Sequence, residues 1–338
     1  MAPVWILGTK SKKEALEFIA FGMSGVVATI VAASINRRSD VQEQNNKLIA
    51  QGHDNERFEN MITNLGHAKV AVRIATFYRF YYLVEKNKED SSQKLKEDIF
   101  EILCSYLRAM SDPTESDEAP SLIEKNKKEY LNERQTLFDI LFKDKFKSNN
   151  NGIMSYNFPV DLQRISLDKM NLSYANLTFT NLTNSNFTNS NLSNANLTDA
   201  DLTNANLSGA YLSGTNLIFT NLTFANLSNV YLSNVNLTQA YLSYANLSDA
   251  NFTDANLTDA YLTEANFIDT DLSGADLTRA NLQNTQLQST KLENVISLEG
   301  ADFRGVKIGD RPITKDDIPA DKGEYYADWN PPPKKEEN

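Results

Sequence analysis

The 338-residue chain holds one cysteine and two histidines. A lone thiol, Cys104, excludes an intramolecular disulfide, and nothing points to an oxidising compartment. Cys104 closes the run Ile99-Phe100-Glu101-Ile102-Leu103-Cys104, where a small buried hydrophobe is the expected role. His53 and His67 each fall beside an expected helix end, which suits capping or solvent exposure rather than catalysis. The chain has no Gly-rich phosphate loop, no Ser–His–acid set and no cysteine pair at metal spacing. The Gly-rich nonapeptides of calcium-binding β-helices are also missing. Asp199 and Asp201 leave the backbone from different repeat positions, so paired-carboxylate chemistry is not expected. The chain therefore reads as a non-enzyme with no cofactor and no metal.

Basic residues are scarce in the C-terminal half. Residues 1–156 carry 22 Lys and Arg against 22 Asp and Glu, residues 157–308 carry 6 against 14, and residues 309–338 carry 5 against 8. This distribution accounts for the formal net charge of -11. An acidic half of this kind argues against nucleic acid as partner, because phosphate binding needs cations that release counterions.

Long apolar runs are scarce too, and only one has membrane length. Residues 18–35 contain no charge, with Lys12, Lys13, Glu14 and Glu17 before them and Arg37 and Arg38 after. Eighteen to twenty apolar residues at about 1.5 Å rise cross a hydrocarbon core of about 30 Å. Ser11 and Glu14 form a capping box that starts this helix near Lys12. A transmembrane helix is expected over a buried soluble helix or a cleaved signal peptide, whose cleavage at Ala32-Ala33 the following Arg37-Arg38 disfavours. Two rows of small residues, Ser24, Ala28, Ala32 and Gly25, Thr29, Ala33, would let two such helices pack closely, as in a homo-oligomer. Lysines and arginines balance on the two flanks, so the positive-inside rule does not decide topology.

Residues 40–51 are polar, an extension or linker. A helix is expected from near Asn55 to Gly66, a natural stop. The run from Lys69 to Glu85, with Phe77, Tyr78, Phe80, Tyr81 and Tyr82, looks apolar nearly all round and so predicts a buried helix. Arg73 and Arg79 argue against a second membrane span. Further helices fit residues 93–110 and 121–146, and Asn149-Asn150-Asn151-Gly152 marks a boundary. The expected domains are 1–39, 40–150, 151–308 and 309–338.

From Leu162 to Leu292 every fifth residue is Leu or Phe, with Phe at 187, 252 and 267. A mostly small residue sits two positions earlier, Asn usually precedes the Leu, and Ser or Thr usually follows. Asn-Leu-Ser/Thr triplets matching the glycosylation sequon are by-products of this pattern. In an α-helix, a five-residue step advances about 500°, so the leucines would ring it. In a flat strand an odd period throws them onto alternate faces. A chain that bends once per pentapeptide can aim every Leu at one axis, with Asn, Asp and Gly favouring the bend. If four pentapeptides make a coil, residues 20 apart are vertical neighbours. Thr178, Thr198, Ile218, Thr238, Thr258 and Thr278 then form one outward column. Leu172, Leu192, Leu212, Leu232, Phe252, Leu272 and Leu292 form one inward column. Tyr211 would stack with Tyr231, and Tyr241 with Tyr261. One extra residue within 293–296 shifts the inward positions to Leu298, Phe303 and Ile308, a bulge before the terminal coil. Residues 309–338, with Pro331-Pro332-Pro333, are expected to be a capping segment and a disordered tail.

Runs such as Ala200-Asp201-Leu202-Thr203-Asn204 and Ala275-Asp276-Leu277-Thr278-Arg279 resemble the pentapeptide-repeat family. The resemblance implies a right-handed, quadrilateral parallel β-helix over about residues 157–308, in an α+β multidomain chain that also has a transmembrane helix and a small all-α domain. Glu56-Arg57-Phe58, Leu65-Gly66 and Val72-Arg73-Ile74 resemble a membrane-tethered bacterial subgroup of that family. This implies a single-pass protein of the bacterial inner membrane, with the β-helix expected on the cytoplasmic side.

Asp249, Asp254, Asp259, Glu264 and Asp269 occupy the same outward position in five consecutive repeats, beside Asp271 and Asp276. They form either a solvated band that resists edge association or a docking surface for a basic partner. The leading expectation is a membrane-anchored scaffold whose β-helix binds a protein through Tyr211, Tyr231, Tyr241, Tyr261 or these acids. One alternative is a DNA mimic that protects a type II topoisomerase, as some pentapeptide-repeat proteins do. Another is glycan or surface binding through the Thr and Ser ladders.

Overall fold

The computed structural model describes residues 54–67, 69–86, 93–111, 120–143 and 160–319. The expected transmembrane segment with its rows of small residues, His53, and the tail beyond Pro319 lie outside the described residues. Among the described residues no helix is long and apolar enough to cross a membrane. Contacts divide the chain into units Met1–Ser155 and Tyr156–Asn338.

Among the described residues the first unit holds four helices: α1 (Asp54–Leu65), α2 (Val70–Lys86), α3 (Gln93–Ser111) and α4 (Pro120–Phe142). Gly66 follows α1, and the Lys69 N–H donates to Nδ1 of His67 at 3.0 Å, so His67 caps the entry to α2. Helix α2 packs against α1, α3 and α4. The expectation that α2 is buried all round needs correction. Thr76, Phe77 and Phe80 are buried, whereas Ala71, Ala75 and Arg79 lie open at four-residue spacing. Two small alanines made an exposed stripe look apolar. Cys104 is buried with Leu103, Tyr106 and Leu107 on α3. At the centre, Arg73 donates from Nε and Nη2 to both oxygens of Glu133, each at 2.6 Å, and Tyr106 donates to the same carboxylate at 3.1 Å. The Glu133 side chain is 1% exposed, so this ion pair is buried and joins α2, α3 and α4. Burial, and then the Glu133 charge, keep the Tyr106 phenol protonated far above its ordinary range.

The second unit is a solenoid whose vertical neighbours are 20 residues apart. Parallel bridges run Asn191 to Tyr211 to Tyr231 to Asn251, and every side of the coil repeats this offset. The bend is a four-residue turn that opens on the inward Leu. Thr215 N–H, for example, returns to the Leu212 carbonyl at 3.0 Å. The third turn residue has φ near +60° in every repeat from Arg164 to Asn294, the left-handed conformation a type II turn demands. Asn, Asp and Gly recur there because they tolerate it.

The backbone accounting explains the rest of the pattern. In the repeat around Leu172, its N–H and that of Tyr174 bond to the next coil, at Asn191 O and Ser193 O. Asn191 N–H reaches back to Met170 O, and Ala175 N–H closes the turn on Leu172 O. One donor remains, the N–H after the Leu. Asn171 accepts it through Oδ1 from Ser173 at 3.1 Å and also accepts the Ser173 hydroxyl at 2.6 Å. Asn176 with Thr178, Asn186 with Thr188 and Asp201 with Thr203 repeat the arrangement. The sequon-like triplet is a hydrogen-bonding unit of the turn.

Inside, the leucine column is fully buried from Leu162 to Leu282. Leu292 departs from expectation and is only half-buried, where the extra residue interrupts its own turn. The inward hydroxyls of Thr215, Thr220 and Thr270 donate to the carbonyls of Leu192, Leu197 and Leu247, each at 2.8 Å. Thr285 Oγ1 is buried with no hydrogen-bond partner. An unsatisfied buried hydroxyl costs about 1–3 kcal/mol. Thr285→Val should therefore raise the urea midpoint of the solenoid, whereas Thr220→Val should lower it.

The extra residue appears in the bridges, whose offset becomes 21 at Asp276 to Ser297, Asn281 to Asp302 and Gln286 to Lys307. Leu298 and Phe303 return to the core, while Ile308 is half-buried in a hairpin of β3 (Lys307–Ile308) and β4 (Arg311–Pro312); β1 (Val160–Asp161) and β2 (Thr180–Asn181) pair in the first coils. Ile313 and Ile318 are buried. Arg311 holds Asp317 through two bonds of 2.7 and 2.6 Å, which keep that carboxyl well below its usual range. Arg304, followed by Gln283, lowers Asp302 to about 2. Both folded values lie below the ordinary value of 3.8. Their stabilisation is thus complete above that value and fades as the pH falls towards about 2. Hydrogen exchange of residues 307–318, corrected for intrinsic rates, should accelerate several-fold between about pH 5 and pH 2.5. Asp317→Asn should show part of that acceleration already at neutral pH.

Candidate protein-docking surface

The two expected tyrosine pairs stack. Tyr211 and Tyr231 have centroids 4.8 Å apart and planes at 3°, and Tyr241 and Tyr261 stand 4.9 Å apart at 4°. Both spacings follow the distance between hydrogen-bonded coils. The pairs differ by ten residues in phase, which is two sides of a four-sided coil. They therefore face opposite ways and do not form one surface.

The acids behave in the same way. Asp249, Asp254, Asp259 and Glu264 stand at four successive turns, and Asp269 returns above Asp249. They form a ring around one coil, not a band on one face. Their position is the left-handed turn site, where Asp is favoured for conformation alone. Arg279 on the next coil forms two bonds of 2.7 Å with Asp259 and lowers its pKa. Lys291 lies 3.4 Å from Asp271. Asp276 Oδ1 accepts from Thr278. Asp199 sits at a turn site, whereas Asp201 bonds Thr203. Among the described residues no group of His, Cys, Asp and Glu could hold a metal ion.

What the repeat pattern alone did not reveal is a set of aromatic residues on one side of the coil. The segments 219–224, 239–244 and 259–264 lie one above another, since Asn221 bridges Tyr241 and Tyr241 bridges Tyr261. They carry Phe219, Phe224, Tyr241, Tyr244 and Tyr261, each between 43% and 56% exposed. Phe224 and Tyr244 form a third stack, at 4.9 Å and 16°. Tyr244 also donates to Glu264 at 3.3 Å. Phe219, Phe224 and Tyr244 occupy left-handed turn sites with φ of 57°, 60° and 61°. Counting columns of 20 through the turn position would have found Phe224 above which Tyr244 lies.

A four-sided coil of stacked five-residue turns, with Leu or Phe at each centre, defines a quadrilateral β-helix. The chain carries a pentapeptide-repeat domain. The family model "Pentapeptide repeats" matches it in eight copies, over residues 160–189, 180–218, 190–227, 220–259 and 255–294. Pentapeptide-repeat proteins form right-handed β-helical solenoids. Similar solved structures include a trypsin-treated variant of QnrB1, a plasmid-mediated fluoroquinolone resistance protein. It is 17% identical over 45% of this chain and 84% of that one, with a TM-score of 0.24. HetL, involved in heterocyst differentiation regulation in the cyanobacterium Nostoc sp. strain PCC 7120, is 27% identical over 47% of this chain and 93% of that one, with a TM-score of 0.18. A pentapeptide repeat protein of the Arabidopsis thaliana thylakoid lumen is 27% identical over 36% and 68%, with a TM-score of 0.17. No curated protein matches the chain.

Proposed function

We propose that the protein is a non-enzymatic scaffold, tethered to a membrane by residues 18–35, whose β-helix presents a rigid face to a partner protein. The observation that carries this reading is the pair of exposed aromatic stacks, Phe224 with Tyr244 and Tyr241 with Tyr261, held at coil spacing on one side of a hydrogen-bonded frame. Monomeric proteins seldom leave large aromatic clusters in water without a binding role. Support for the tether is the uncharged run of 18 residues.

A DNA mimic is the weaker reading, since the acids ring the coil instead of forming two phosphate-like rows. Binding through the Thr ladder is weaker as well. The hydroxyls of Thr198, Thr238 and Thr278 already bond Asn196, Asn236 and Asp276. Proximity labelling from the C-terminus of the full-length, membrane-embedded protein should recover a reproducible protein partner. Recovery of none in repeated experiments would remove the scaffold reading.

A further inference from the structure

The aromatic side of the coil breaks the rules of its own fold. At the position before the Leu, Asn or Asp accepts the last free backbone donor, as Asn221 does from Thr223 at 3.1 Å. Tyr241 and Tyr261 stand at that position with no carbonyl or carboxylate to offer. At the turn site, Phe219, Phe224 and Tyr244 adopt a conformation that favours Asn and Gly. None is repaid by burial, since all five remain about half exposed. Local rules broken with only inter-coil stacking and no full burial in return point to functional positions.

The aromatic coils themselves carry no cation, and Arg279, one coil beyond them on this side, is paired with Asp259. No Lys or Arg occurs between Lys169 and Arg279, and nine Asp and Glu fall in that interval. On this side of the coil, Asp199 and Asp201 lie one coil before Phe219, and Glu264 lies beside Tyr261 at the other end. Asp199, Asp201 and Glu264 thus flank the aromatic residues along the axis, with the Arg279 charge at the far end offset by Asp259. Two copies meeting through this side would set these acids against one another, which disfavours self-association.

We propose that the side carrying Phe219, Phe224, Tyr241, Tyr244 and Tyr261 docks a cationic, apolar segment of a partner protein. Apolar side chains of the partner cover the aromatic stacks, and its Lys or Arg heads reach Asp199, Asp201 and Glu264. Long cationic side chains suit both parts, because their stems cover apolar surface while the heads pair with acids. This inference rests on the scaffold reading and specifies its site and partner chemistry.

The test uses full-length protein in detergent and three fluorescent 12-residue peptides: alternating Arg and Leu, alternating Glu and Leu, and alternating Arg and Ser. The Arg–Leu peptide should bind most tightly, with the Glu–Leu peptide at least tenfold weaker. The variant Phe224→Asn/Tyr241→Asn/Tyr244→Asn restores the residues the fold prefers, so circular dichroism should show it folded. It should nevertheless lose Arg–Leu binding at least tenfold, while Tyr211→Asn/Tyr231→Asn on the opposite side binds as the parent does. Equal binding of Arg–Ser and Arg–Leu, equal loss in the two variants, or no binding at all would overturn the inference. So would dimerisation in ultracentrifugation that the first variant abolishes. If proximity labelling recovers the same partner from the first variant, the scaffold reading stands and this site falls. If the parent recovers no partner, the scaffold reading itself fails.

Discussion

Replacing Arg73 with methionine should destabilise the helical unit by about 3–5 kcal/mol, among the largest losses any single change in it would produce. Glu133 is buried to 1% exposure and shares its two oxygens between Arg73 and Tyr106. Removing the guanidinium leaves a carboxylate in a poorly solvating site with one phenol as neighbour. Such a broken buried pair costs more than the pair ever contributes, because desolvation of the remaining ion is no longer offset. The double variant Arg73→Met/Glu133→Leu should recover most of the loss, since apolar replacements of a buried pair are often neutral or better. Urea unfolding followed by hydrogen exchange of α2 and α4 in the full chain would read both. A double variant as unstable as the single one would show that the pair contributes net stability.

Phe252→Ala should cost the solenoid about 3–5 kcal/mol. Phe252 is fully buried, with its ring 6.0 Å from that of Phe267, and rigid coils above and below limit collapse into the space. The same truncation at Leu292 should cost no more than about 1–2 kcal/mol, because half of that side chain already meets water. Thermal unfolding monitored at the β-sheet signal would compare them. In a stack where each coil touches only its neighbours, the Phe252 change also separates the molecule into two cooperative parts. A second transition should therefore accompany the lower Tm.

The solenoid was legible because its five-residue rhythm leaves only one way to bury Leu162, Leu167 and their successors together. Comparing residues 20 apart supported four turns per coil, the square section came from the family resemblance, and the slip near Glu293 was visible as a broken phase. The reason for Asn before each Leu was not visible. It depends on which backbone donor the coil leaves over, and that is known only once the inter-coil bonds are drawn. Helix α2 misled because Ala71 and Ala75 count as apolar by composition yet line an open stripe. The docking side escaped notice for a different reason. Its members come from two positions of the repeat, Tyr241 and Tyr261 before the Leu and Phe224 and Tyr244 after it. The acids at residues 249–269 misled in the opposite direction, since a run along the sequence becomes a circle in space.

The added residue between Glu293 and Ile296, followed by the hairpin from Lys307 to Pro312, has a consequence for assembly. A coil that ends in step presents the same pattern of donors and acceptors it has just received, so another coil could always join. The coil after the added residue still accepts bonds from the one before it, as from Leu277 and Leu282, and it is the antiparallel hairpin that departs from the pattern. A like molecule approaching this end would meet a hairpin in place of a matching coil edge.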